Sequence, residues 1–98
     1  MDTRIEFNAH SNVVAIRGDI DVASAAQLRA AVAAAAAAHD GWVTLDLSHC
    51  TFMDSSGIHE MAEASAAGIR IELRNVGREV RSVLSITGVD RRVSSVPH

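Results

Sequence analysis

The chain has 98 residues, of which 48% are apolar, 21% charged and only 3% aromatic, and its net charge is −3. That size and composition suit one domain around a single core of Val, Ile, Leu and Met, and exclude a disordered chain. The mild acidity excludes a broad electrostatic footprint for nucleic acid or anionic lipid.

The N-terminal "MDTRIEF" has neither a basic n-region nor an apolar h-region, so no secretory signal is expected. Residues 4–8, "RIEFN", alternate with Ile5 and Phe7 on one face and read as a short strand. "HSN" offers turn chemistry, and "VVAIRG" (Val13–Gly18) reads as a second, more buried strand, so the two predict an antiparallel hairpin. A loop, "GDID", is expected next.

From Val22 to about Ala38 the chain is rich in the strongest helix former and holds no breaker. Val22, Ala25, Leu28, Val32 and Ala35 fall on one stripe, which marks the packing face. This alanine run is also the nearest approach to the roughly 18 apolar residues of a membrane span, and it is too weakly hydrophobic to be one. Asp40-Gly41 ends the helix.

"WVTLDL" (Trp42–Leu47) is a strand with Val43, Leu45 and Leu47 on one face, and "SHCTFMD" carries the chain on toward a helix. Phe52 and Met53 are expected to anchor that turn in the core. Ile58, Met61, Ala62 and Ser65 recur at helical spacing up to Gly68, and "IRIELR" (Ile69–Arg74) alternates as a strand with one wet face. Val76, Val80, Val83 and Leu84 define a third amphipathic helix that Gly88 caps, and a brief edge strand is expected near Val93–Val96. The order ββαβαβα(β) is that of an α/β sandwich with its helices gathered on one face.

The segment "FMDSSGIHEM" (Phe52–Met61) holds three N-cap candidates, Asp54, Ser55 and Ser56, where one suffices. A capping role accounts for one of them. A nucleophilic serine would need a base such as His49 or His59 within reach, and the strand-to-helix turn lacks the G-x-S-x-G form. Phosphorylation is the third reading: a helix N-terminus welcomes an anion, and added charge beside Asp54 would repel an acidic or apolar partner.

Three segments, taken in order, resemble the STAS domains of bacterial anti-sigma-factor antagonists. "VVAIRGDID" is similar to the family's strand and G-[ED]-[IL]-D loop, "VTLDLSHCTFMDSSGI" to its D-S-S-G signature, and "NVGREVRSVLSITGVD" to its late helix. The resemblance implies a STAS-like sandwich: a four- to five-stranded mixed sheet of N-terminal hairpin and βαβ units, with three to four helices mainly on one face. Residues 1–98 are then one STAS domain in which the usual C-terminal helix is missing or truncated. Where the family often continues D-S-S-G-L-G, this chain has Ile58, His59 and Glu60.

The resemblance also implies partner switching. The unphosphorylated antagonist binds an anti-sigma-factor serine kinase and frees the sigma factor. Phosphorylation reverses this until a serine phosphatase removes the phosphate. By position the acceptor is Ser55, with Ser56 as the second choice. Asp21, Asp54, Ser56, Gly57, Ile58 and His59 are expected to meet the partner. The protein is thus a cytoplasmic, non-enzymatic regulator, a monomer or weak dimer, with no membrane insertion, no nucleic-acid partner and no cofactor. A different reading is a STAS subunit of an ABC-type lipid transport complex that binds the ATPase subunit; such subunits often carry Thr-Gly-Gly-type turns, so the paired serines favour the first.

Other features read as structural. His10, His39, His49, His59 and His98 lack metal-ligand spacing, and no glycine-rich phosphate loop is present. Cys50 is alone, which rules out an internal disulfide and fits packing in a reducing compartment. The late arginines Arg70, Arg74, Arg78, Arg81, Arg91 and Arg92 are diluted by Glu72, Glu79 and Asp90 and read as a solvated mixed-charge face.

Overall fold

A computed structural model describes residues 3–78, 80–82 and 94–96. The elements are β1 (Arg4–Asn8), β2 (Val13–Ile20), α1 (Val22–Ala38), β3 (Trp42–Met53), α2 (Ser55–Ala66), β4 (Arg70–Arg74) and β5 (Ser94–Val96). They form one sheet in the order β1-β2-β3-β4-β5. The hairpin pairs β1 and β2 antiparallel, with Ile5 opposite Ile16, and the remaining neighbours are parallel. The chain steps across the sheet in one direction, so right-handed crossovers put α1 and α2 on the same face. The two helices are bridged there by an Arg29–Glu60 ion pair at 3.4 Å.

The core lies between this helical layer and the sheet. Val14, Ile16 and Ile20 of β2 and Val43, Leu45 and Leu47 of β3 meet Leu28 and Val32 of α1 and Ile58 and Met61 of α2. This is the α/β sandwich with a mixed sheet and its helices on one face. The start of the expected third helix is present: residues 80–82 are helical, Arg81 N–H donates to the Gly77 carbonyl at 2.9 Å, and Val80 is buried. The rest of that helix, up to Gly88, lies outside the described residues. No helix among the described residues is long and apolar enough to cross a membrane.

Four expectations need correction. Val22, the first helical residue, is not on the packing stripe of α1 but 77% exposed, on the flank that faces the start of α2. The loop "GDID" is mostly strand, since β2 continues to Ile20 and a single residue, Asp21, links it to α1. Strand β3 likewise runs on through "SHCTFM" to Met53. Against β2 it takes two register shifts, between Ala15/Arg17 and between Gly18/Asp19, and each inserts one extra residue into β3. Its buried positions therefore fall at Leu47, Cys50 and Met53, three apart instead of two. Phe52 is turned out of the core in consequence and is 46% exposed, whereas Met53 is fully buried.

Candidate functional site

Strands β2 and β3 run parallel and finish side by side, with Ile20 opposite Met53. Each passes through one aspartate into a helix, so the N-termini of α1 and α2 emerge together at the carboxyl end of the sheet. This is the end at which open α/β sheets present their sites. Asp54 N–H donates to the Ile20 carbonyl at 3.0 Å and ties the two junctions to each other.

Both aspartates are extended N-cap residues. Asp21 accepts from Ala23 N–H at 3.0 Å and Ser24 N–H at 3.1 Å, while Ser24 Oγ accepts from Asp21 N–H at 3.0 Å. The result is a reciprocal capping box. Asp54 accepts from Ser56 N–H alone, at 2.8 Å. The cap of α2 is therefore supplied by Asp54, and neither serine hydroxyl is spent on it.

Ser55 is the first residue of α2 and is exposed, and its hydroxyl makes no hydrogen bond among the described residues. Ser56 is half-buried. Both line a groove of about 520 Å³ between the first turns of the two helices, with Val22, Ala25, Arg29 and His59. The third residue of α2 is Gly57, and a Cβ there would lie 2.5 Å from Ile20 Cγ2 and 2.6 Å from Met53 Cγ. Only glycine lets the first turn of α2 settle this close to the strand ends.

Of the residues expected to meet a partner, Asp21, Asp54, Ser56 and His59 reach the surface. Gly57 and Ile58 do not: both are buried, Ile58 at 4% exposure, so they offer no side-chain atoms to a partner. They hold the turn in place from beneath. Sequence reading missed the exposed Val22 and Phe52. The signal for Val22 was available, since it directly follows a cap. Phe52 depended on the extra residues in β3. Beside it in register is Asp19, whose carboxylate accepts from the Thr51 hydroxyl.

Chemically, the groove offers Ser55 no activated base among the described residues. His59 pairs with Glu63 at 3.8 Å, and His49 is exposed on β3. Among the described residues neither is hydrogen-bonded to a serine of the motif, which an intrinsic nucleophile would need. Cys50 is buried; that burial, with the Asp19 charge, pushes its thiol up against a lowering contact to the Phe52 carbonyl. It is a packing residue. No group of three or more His, Cys, Asp or Glu that could hold a metal occurs among the described residues.

Residues 3–96 match the family model described as "Mlab, STAS domain". Among solved structures, an anti-sigma factor antagonist from Mycobacterium paratuberculosis is similar with a TM-score of 0.77 at 24% identity, over 99% of this chain and 86% of that one. The anti-sigma factor antagonist SpoIIAA in its unphosphorylated form gives 0.63 at 24%, over 99% and 89%. The phosphorylated form of SpoIIAA, a Bacillus cell fate determinant, gives 0.58 at 24%, over 99% and 93%. At these identities the likeness shows a shared fold. No curated protein matches the sequence.

Proposed function

The chain belongs to the STAS domain family, and on that premise we propose that it is an anti-sigma-factor antagonist acting by partner switching. In its unphosphorylated form it binds an anti-sigma-factor serine kinase and releases the sigma factor. The kinase then phosphorylates Ser55, the complex is lost, and a serine phosphatase restores the binding form. The protein is a substrate and a binding module, not an enzyme, and it acts in the cytoplasm.

The observation that carries this reading is the division of labour at the start of α2. Asp54 caps the helix, Gly57 packs it down, and the Ser55 hydroxyl is exposed with no hydrogen bond among the described residues. A phosphate there would add about −1.5 to −2 charges beside Asp54 and near the exposed Asp21. The helix N-terminus tolerates that anion, so the fold survives. A partner seated on Val22 and Phe52 would instead meet new like charge or a desolvated phosphate. Solved forms of SpoIIAA with and without phosphate share this fold and support the idea that it holds both states.

The test is a pull-down of the cognate kinase by wild type, Ser55→Ala and Ser55→Glu, with the wild type also incubated with kinase and ATP and mapped by mass spectrometry. Wild type and Ser55→Ala should bind, Ser55→Glu should not, and phosphate should appear on Ser55. Phosphate on Ser56 would move the site by one residue. An unmodified motif and a kinase that does not bind would overturn the proposal. Binding of an ABC-transporter ATPase subunit that is indifferent to Ser55→Glu would replace it with the lipid-transport reading.

A further inference from the structure

Strand β1 is an edge: β2 pairs with one side of it, and no strand lies on the other among the described residues. Such edges usually carry charge that blocks further pairing. Here the charges alternate in sign. Arg4 and Glu6 project from one face, with side chains 71% and 64% exposed, while Ile5 and Phe7 lie half-buried on the helix-covered face. In antiparallel self-pairing centred on Ile5, Arg4 stands opposite the Glu6 of a second copy and Glu6 opposite its Arg4. Ile5 meets Ile5, and Phe7 meets Thr3. Cross-strand pairs of opposite charge support such a register, and like charges oppose it. The edge is complementary to itself.

A second feature on the same side agrees. Helix α1 packs over β1 and β2. Its flank toward α2 is marked by Arg29 and Ala33, which line a groove with Glu60 and Ala64. Helical spacing puts Gln27, Ala31, Ala34 and Ala38 on the opposite flank, above the free edge. That flank carries no charge and nothing larger than one glutamine. Directly opposed residues in an antiparallel pair point to the same face, so the two-fold axis stands perpendicular to the sheet. Both helical layers then lie on one side, and two small-residue flanks approach across the axis.

We propose that two copies of this chain associate through β1 edges paired antiparallel about Ile5, with Arg4–Glu6 contacts on one face and facing α1 flanks on the other. The interface is a five-residue strand and one helix flank, so the association is weak and concentration-dependent. Ser55 lies two strands away, at the end of β3, and stays open in the dimer. The inference is therefore independent of the partner-switching reading.

Sedimentation equilibrium of the full chain over a wide concentration range tests it through a charge swap. Arg4→Glu and Glu6→Arg, made singly, each put like charges opposite one another across the axis and should weaken dimerisation by roughly tenfold or more. The double variant, Arg4→Glu with Glu6→Arg, restores opposite signs and should recover most of the wild-type affinity. Both positions are exposed, and far-UV circular dichroism verifies that each variant is folded. A monomeric wild type at the highest concentrations overturns the proposal. So does a dimer indifferent to the single changes, or a double variant as weak as the singles.

Discussion

The two strand-to-helix junctions at the carboxyl end of the sheet have the same frame and opposite characters. After the cap Asp21 come Val22, Ala23 and Ser24; after the cap Asp54 come Ser55, Ser56 and Gly57. At α1 the third residue closes a capping box, and the junction's polar groups are turned on one another. At α2 the third residue is a glycine that cannot close one, and the hydroxyls sit one and two positions earlier, facing the groove. One junction is built to hold a helix. The other holds its helix by close packing and leaves its polar groups for something else.

The sharpest way to break this comparison is to make the junctions alike. Gly57→Ser would complete a capping box at α2 on paper, worth about 1 kcal/mol. Its Cβ, however, would fall 2.5 Å from Ile20 Cγ2, and overpacking of that kind costs about 1–3 kcal/mol. Urea unfolding should show Gly57→Ser less stable than wild type; a more stable variant would mean that close packing is not what shapes this turn.

Removing the caps gives the next effect. Asp21→Ala abolishes the two hydrogen bonds that its carboxylate accepts from Ala23 and Ser24 N–H, and should cost about 1–2 kcal/mol. Asp54→Ala abolishes one and should cost about 0.5–1 kcal/mol. Equal losses in chemical denaturation would contradict the asymmetry.

The smallest effect comes from a carboxylate on β3 that caps no helix. Burial raises the Asp46 pKa, but hydrogen bonds from Ser48 and Asn75 and the Arg74 charge outweigh it, and the carboxyl is held below its ordinary value. A group depressed in the folded state stabilises above its unfolded pKa, about 3.9, and that contribution is lost as pH falls through the folded pKa. Wild type should therefore lose more stability than Asp46→Asn as pH drops from about 5 toward 3, as read from unfolding midpoints. Parallel curves would remove Asp46 from the acid response.

The elements that were legible are those governed by chain-local chemistry. The alternation of "RIEFN", the alanine-rich run, the "IRIELR" strand and the aspartates before each helix act through neighbours a few residues away. The structure has them nearly at the expected bounds. At the site, the three N-cap candidates follow from the same local rules, whereas the choice of Asp54 as the cap came from the structure and that of Ser55 from the family resemblance.

What could not be read locally arises where β3 meets β2. Two extra residues in β3 break its period of two and change the face to which Cys50, Phe52 and Met53 belong. No window of the sequence carries that information, because a register shift is a relation between strands about thirty residues apart. The need for glycine at 57 is likewise set by Ile20 and Met53. Sequence chemistry thus narrowed which residues could cap or pack. Packing between distant segments settled which of them face the groove, because side-chain direction at a strand end depends on the partner strand as much as on the strand itself.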